Sequence, residues 1–234
     1  MPASLDERLL DESLTSLVKR CQTYEISIDD GTVTACRAFA RLLAAANESR
    51  NLTRLVDAEG AVVGLFLDSL LFLRHLEGAP VASLIDVGSG AGFPAVPLAA
   101  ARPGLRVVAM DSRKMKMDFL AEAATAVPLP NLTAIHGRAE ELALRAPHAG
   151  AYDMATARAL GSLAASVGFA LPFVRPGGRL VVARGSRGYD EALREARGVL
   201  KDLGGVIVEE SSYRLPGYDS DFLHVVVERR RRAR

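Results

Sequence analysis

Apolar residues recur along this chain in two rhythms, and the change comes near residue 80. Before it the spacing is helical. Leu5, Leu9, Leu10, Leu14, Leu17 and Val18 fall on one helical face. Asp29-Asp30-Gly31 is a turn in which Asp29 or Asp30 can cap the next helix. That helix is expected over about Thr32 to Glu48, with Val33, Cys36, Phe39, Ala40 and Leu43 inward, and a polar loop, Asn47 to Asn51, ends it. A third helix is expected over about Val62 to His75, presenting Val62, Phe66, Leu70 and Leu73. Gly78-Ala79-Pro80 then breaks the pattern.

From Val81 on, short apolar runs alternate with Ala-rich amphipathic stretches. The runs are Ser83–Val87, Arg106–Met110, Leu132–Ile135, Tyr152–Thr156, Gly178–Ala183, Val206–Glu210 and Leu223–Glu228. Helices are expected to start near Pro94, Lys114, Ala139, Leu163 and Tyr189. Repeated βα units with near-continuous apolar strands imply a parallel sheet covered on both faces. The loop joining the last two runs is too short for a long helix, so the final strand is expected to enter antiparallel. The expected fold is α/β and Rossmann-like, a seven-stranded mostly parallel sheet. Three parts are expected: a helical segment over 1–80, a Rossmann-like domain over 81–228 and a basic tail over 229–234.

Composition narrows the function classes. Apolar residues make up 49% and charged residues 24%, which fits a folded globular chain and argues against disorder. No apolar run is long enough to span a bilayer. The acidic, polar stretch Met1 to Asp11 does not read as a signal peptide, and a cytoplasmic protein is expected. On that reading the Asn-x-Thr sequons at Asn51 and Asn131 are chance matches. Two cysteines, Cys21 and Cys36, make no disulfide framework, and no Cys/His cluster has metal-ligand spacing. The net charge of +1 hides an asymmetry: residues 1–80 hold 8 basic and 12 acidic side chains, and residues 81–234 hold 21 and 16. Arg229, Arg230, Arg231, Arg232 and Arg234 end the chain. Such a tail suits a polyanionic partner, and equally a solvated terminus.

The chemistry gathers after the first strand, in Leu84-Ile85-Asp86-Val87-Gly88-Ser89-Gly90-Ala91-Gly92-Phe93-Pro94. Three glycines at spacing two let the backbone turn tightly and approach a ligand without a Cβ in the way. The helix start that follows offers N–H groups to a polar ligand. The spacing is not the G-x-G-x-x-G of dinucleotide enzymes, and no Lys-Ser/Thr ending marks a phosphate-binding loop. Asp86, two residues before Gly88, is placed to meet the amino group of a zwitterionic ligand, directly or through water. Asp111 ends the second strand, 19 residues after Gly92. There it can accept both hydroxyls of a ribose, cap the next helix, or be an ordinary strand-end acid. After the third strand, Ala139 and Glu140 can frame a base. Arg158 follows the fourth strand at the edge where ligands bind in open α/β sheets. It can hold a phosphate, fix the polar end of a cofactor, or sit in a surface ion pair. Arg113, Lys114, Lys116 and Arg184 are candidate RNA contacts.

These residues, in this order, resemble the glucose-inhibited division protein B family, bacterial small-subunit rRNA guanine-N7 methyltransferases. The resemblance runs from about Thr32 to Arg187. It is carried by Asn51-Leu52-Thr53, Phe66-Leu67-Asp68-Ser69-Leu70, Asp86 to Pro94 with Pro97, Asp111-Ser112, Gly137-Arg138-Ala139-Glu140 and Thr156-Ala157-Arg158-Ala159. The glycine segment alone is common to many methyltransferases; the ordered set is far more specific. The resemblance implies a class I methyltransferase fold, S-adenosylmethionine as cofactor, and cofactor contacts at Gly88, Phe93, Ala139, Glu140 and Arg158. Asp86, Gly90, Gly92 and Asp111 complete the expected cofactor set. It implies methylation of N7 of one guanine in the decoding-region loop of 16S rRNA, as free RNA, an assembly intermediate or the small subunit. A monomer without membrane contact is expected. The sequence departs from the family pattern at Gly64 and Leu65, where a basic residue and a histidine are usual. It departs again at Ala95, at Arg184-Gly185 in place of Lys-Gly, and at the C-terminus.

Guanine N7 has a free lone pair at neutral pH, so its attack on a sulfonium methyl needs no general base. Alignment supplies most of the effect, with Arg158 as candidate positioning residue. Two alternatives stay open on sequence alone. One is a methyltransferase acting on another RNA site or on a small molecule. The other is a non-catalytic RNA-binding module, against which the intact Asp86, Gly88, Gly90, Gly92 and Asp111 argue.

Overall fold

The computed structural model describes residues 7–53, 57–77 and 80–230. Leu5, Gly78-Ala79, Arg231, Arg232 and Arg234 lie outside the described residues. Seven strands form one sheet: β1 (Ser83–Val87), β2 (Arg106–Asp111), β3 (Leu132–His136), β4 (Tyr152–Arg158), β5 (Val174–Gly185), β6 (Gly205–Tyr213) and β7 (Phe222–Arg229). Their order is β3-β2-β1-β4-β5-β7-β6. The first five run parallel, and β7 lies antiparallel between β5 and β6. The strand order reverses between β1 and β4, the switch point at which open α/β sheets bind ligands beyond their carboxyl ends.

Strand alternation splits the core in two. Leu84, Val107, Ala109, Met154, Val181 and Val226 face one cluster; Ile85, Val87, Val108, Ala155, Val182 and Val225 face the other. The first face is covered by α6 (Ala95–Ala101), α7 (Lys114–Ala126) and the helices of the first 80 residues. The second is covered by α9 (Leu163–Ala170) and α10 (Tyr189–Leu203), with the one-turn α8 (Ala139–Leu142) at its margin. Burial on both faces is why these strands are apolar without a break.

The N-terminal helices are α1 (Glu7–Thr15), α2 (Leu17–Gln22) and α3 (Asp30–Arg50). Asp29 caps α3, accepting from the amide and hydroxyl of Thr32 at 2.7 and 2.6 Å. Val33, Cys36, Phe39, Ala40 and Leu43 are buried at helical spacing, and the helix stops at Asn51, which adopts a left-handed φ of 46°. Leu10, Leu14 and Leu17 are buried as their spacing predicts, whereas Leu9 is 51% exposed. It sits next to the inward position, where a helix turns about 100° per residue away from the core. Cys21 and Cys36 are buried free thiols, and burial pushes both up to about 12.

The third helical stretch differs from the regular helix expected over 62–75. It starts earlier, at α4 (Ala58–Ala61), where Asp57 accepts from the Gly60 amide at 2.7 Å. It widens into a π-helix over Val62–Leu67, passes through α5 (Asp68–Leu70), and tightens to a 3-10 turn over Leu71–Leu76. Val62, Val63, Phe66, Leu67, Leu70, Leu71, Phe72 and Leu73 are all buried, so the stretch is apolar on every side. β5 and β6 are longer than their apolar runs. β6 is the sheet edge, and its polar continuation, Glu209 to Ser212, pairs with β7 while facing solvent.

The expected basic tail starts too early. Arg229 belongs to β7, and its Nη1 donates to the carbonyls of Pro172 and Val174 at 3.0 and 2.6 Å. Those two carbonyls, at the start of β5, hold this guanidinium against the sheet.

Candidate active site

Two cavities adjoin at the carboxyl edge of β1, β2 and β4. The smaller, about 300 Å³, is lined by Gly88, Asp111, Arg113, Ala139, Glu140 and Leu160, among others. The larger, about 500 Å³, is lined by Asp68, Arg158, Arg184, Arg187, Tyr213 and Phe222, among others. Ala159 and Leu160 line both. The structure thereby brings Gly88, Asp111, Ala139 and Glu140 around one space and puts Arg158 and Arg184 in the next.

Gly88 adopts φ +75°, and a Cβ there would stand 2.5 Å from Leu160 Cδ1. The bare backbone is therefore part of the cavity wall. Asp111 is almost fully buried. Its Oδ2 accepts from the Gly90 amide at 3.0 Å and its Oδ1 from the Arg113 amide at 2.9 Å. A carboxylate has about four acceptor sites, so it can hold the loop and still receive hydroxyls from the cavity.

The remaining loop residues lie behind this wall. Asp86 points to the sheet face covered by α6, where Oδ1 accepts from Thr156 Oγ1 at 2.9 Å and Oδ2 from the Ala95 amide at 3.3 Å. Burial pushes its carboxyl up to about 6, against the pull of its hydrogen bonds and of Arg158. The expected meeting with a ligand amine is replaced by an internal clamp between β1, β4 and α6. The same bond corrects the expectation for the helix start. The amides of Gly88 and Ser89 donate to Met110 O, those of Gly92 and Phe93 to Ser89 O, and that of Ala95 to Asp86. The loop therefore contributes closeness rather than unpaired N–H groups. Gly92, φ +110°, is required by packing: a Cβ would stand 2.9 Å from Leu120 and Val96. Phe93 is buried edge-on against Phe39 and Phe66, with centroids 5.6 and 5.1 Å apart, and the Arg158 guanidinium lies 5.7 Å from its ring centre. It supports Arg158 from below rather than facing either cavity.

Arg158 ends β4 and is tied to the N-terminal helices. Its Nη1 donates to the Gly64 carbonyl and to Asp68 Oδ2, both at 2.9 Å. Asp68 is buried, and its other oxygen accepts from Tyr213 Oη at 2.7 Å. Burial and the Asp68 charge push the Tyr213 phenol well above its ordinary range. Sequence alone assigns no role to Asp68, although an acid inside an apolar helical run is a visible signal. Tyr213 carries none, because it stands 145 residues from its partner.

The expected basic cluster divides. Lys114 pairs with Asp118 at 2.8 Å, and the Arg113 Nε lies 3.4 Å from Asp111. Lys116 does not face outward: it is buried over the glycine loop, its Nζ 3.7 Å from where a Gly90 Cβ would stand. Burial, then the nearby Arg113, lowers its pKa. Two residues on from Lys114, the helix has turned its side chain onto α7's inner face.

Comparison with known proteins agrees with this arrangement. The family model for rRNA small subunit methyltransferase G matches residues 32–207. The ribosomal RNA small subunit methyltransferase G of Deinococcus radiodurans is 42% identical over 198 residues, covering 82% of this chain and 77% of that protein. That of Alkaliphilus metalliredigens is 34% identical over 218 residues, covering 93% and 91%. Among solved structures, the 16S rRNA (adenine(1408)-N(1))-methyltransferase of Catenulisporales acidiphilia with cosubstrate SAM superposes with a TM-score of 0.52 at 18% identity, covering 72% of this chain and 94% of that one. A precorrin-6y C5,15-methyltransferase from Geobacter metallireducens gives 0.51 at 16%, covering 68% and 87%. These two likenesses show the class I methyltransferase fold, and the sequence matches go further: the chain belongs to the rRNA small subunit methyltransferase G family.

Proposed function

We propose that this chain transfers a methyl group from S-adenosylmethionine to N7 of one guanine in the decoding-region loop of 16S rRNA. The observation that carries the reading is the pair of adjoining cavities at the switch point, one fitted for a nucleoside and one rimmed by arginine. The cofactor fits the smaller: a wall that only glycine can form at Gly88, a buried acid at Asp111 for ribose hydroxyls, and Ala139 with Glu140 beside the base. When bound, the cofactor supplies an electrophilic methyl group on a sulfonium.

The protein's own part is alignment and exclusion of water. N7 presents a free lone pair, no proton has to leave it, and the methylated ring becomes cationic. Holding nucleophile and methyl in line removes much of the entropic barrier. Arg158, fixed by Asp68 and the Gly64 carbonyl, stands beside the wall common to the two cavities and orients the polar groups that meet there. We read the chain as acting in the cytoplasm as a monomer. Its exposed large apolar residues (Leu9, Leu42, Met115, Leu144, Val208 and Tyr218) are spread over separate segments rather than gathered in a patch. Among the described residues, no helix is long and apolar enough to cross a membrane.

The test is methyl transfer to undermethylated small-subunit rRNA, followed by digestion to nucleosides and mass spectrometry. The expected product is 7-methylguanosine; methylation of another nucleoside alone, or none, would overturn the reading.

A further inference from the structure

The larger cavity has no assigned occupant. It adjoins the cofactor cavity through Ala159 and Leu160, so whatever fills it lies next to the transferred group. Its volume, about 500 Å³, is within the range of roughly 300–1,000 Å³ typical of small-ligand pockets. Leu160, Phe222 and Tyr213 give it apolar walls, and the rings of Tyr213 and Phe222 are stacked with centroids 5.7 Å apart. Among the residues lining it, Asp68 is the one acid, and it is engaged by Arg158 and Tyr213. Arg158, Arg184 and Arg187 leave the lining with an excess of positive charge. Arg184 lies 5.7 Å over the Tyr189 ring, and its Nη1 is buried without a hydrogen-bond partner. A buried donor left unpaired is costly, and an anionic or carbonyl oxygen entering the cavity would satisfy it.

Flat apolar walls, an unpaired guanidinium donor and net positive charge describe a site for one nucleotide with its base out of the stack. We propose that this cavity receives the acceptor base of the RNA, extruded from its neighbours, with Arg184 holding an oxygen of the same nucleotide. The inference rests on the rRNA methyltransferase reading and adds where the acceptor sits. A base stacked in RNA cannot bring its ring against a buried wall; enzymes that act on bases take them out first.

Gly185 makes the proposal testable. It lines the cavity at the end of β5, and a Cβ there would meet nothing within 4 Å. Gly185→Leu therefore fills the cavity and leaves the cofactor cavity untouched. Two measurements on the full chain decide. The first is calorimetric titration with S-adenosylhomocysteine. The second is the fluorescence of an rRNA fragment carrying 2-aminopurine at the acceptor position, read against a protein that has no tryptophan. For the parent, 2-aminopurine fluorescence is expected to rise on binding as the base unstacks. In Gly185→Leu the rise is expected to vanish and methyl transfer to fall at least a hundredfold, with S-adenosylhomocysteine affinity within threefold of the parent. Arg184→Gln is expected to weaken RNA binding tenfold with the same cofactor affinity, and it guards against a Gly185 variant that fails to fold. If both variants keep the fluorescence rise and RNA affinity of the parent, the cavity is not the acceptor pocket, while the functional reading stands. If S-adenosylhomocysteine affinity falls instead, the cavity belongs to the cofactor and the proposal is overturned. A parent that binds S-adenosylhomocysteine but methylates no RNA would sink the functional reading itself.

Discussion

Single residues at the site work through the groups they hold. Asp111 grips the Gly90 and Arg113 amides and faces the smaller cavity. Asp111→Ala is expected to weaken S-adenosylmethionine binding by about 1.5–3 kcal/mol, the range for hydrogen bonds to a charged group. Calorimetry checks this, and unchanged affinity in a folded variant would remove Asp111 from the site. Asp86 has a different signature. Its folded carboxyl is raised to about 6 from an ordinary 3.8, because burial outweighs its bonds to Thr156 and Ala95 and the attraction of Arg158. A raised acid binds its proton more tightly in the folded state, so its contribution to stability is complete below about 3.8 and is lost as pH rises through about 6. The parent should therefore gain stability relative to Asp86→Asn as pH falls from about 7 to about 4. Denaturant unfolding of both proteins across that window measures it, and a constant difference would contradict the assignment. The sequence made the acid at position 86 visible but not its direction. That follows from strand parity: Asp86 shares a sheet face with Leu84, and that face is covered by α6 and the N-terminal helices.

At the scale of elements, the two rhythms of the sequence were sufficient for the strands and for most helices. Buried parallel strands and amphipathic helices write their periods directly into the chain. The stretch from Ala58 to Leu76 was less legible, because a helix buried on every side has no polar face to mark its turns. Its π-helical part carries Gly64, whose carbonyl receives Arg158, and π-turns recur at functional sites. The tie Gly64–Arg158–Asp68–Tyr213 thus joins this stretch to β4 and β6. No local pattern announces it, since its members are up to 145 residues apart along a single bond. Breaking the tie from one side leaves a buried acid without its cation. Arg158→Met is expected to destabilise the chain by about 3–5 kcal/mol, as seen when one partner of a buried pair is removed. Arg158→Lys keeps the charge and loses the planar fork, so methyl transfer at saturating cofactor should drop far more than stability. Full turnover in Arg158→Lys would reduce the residue to an ion-pair partner.

At the scale of the molecule, the cavities lie at the switch point, as the strand order dictates. Their contents were partly legible: the glycine loop, Asp111, Ala139, Glu140 and Arg158 lie in contiguous motifs. Asp68, Tyr213, Phe222 and Arg187 meet there only because the chain folds back on itself. Charge is also distributed at this scale. Since Arg229 is part of β7, a truncation that tests the arginine tail should follow Arg230 and remove residues 231–234. If those arginines neutralise phosphates, the log–log salt slope of rRNA binding should fall by about one unit for every phosphate that the truncated chain leaves uncovered. An unchanged slope would return the tail to solvent. The central claim concerns one atom of one base, and strand scission reads that atom directly. N7-methylated guanine in RNA is cleaved by borohydride followed by aniline, and primer extension maps the break. After incubation of undermethylated small-subunit rRNA with this protein and S-adenosylmethionine, a single new break is expected in the decoding-region loop, absent when either component is omitted. No break, or breaks only elsewhere in the RNA, would contradict the account.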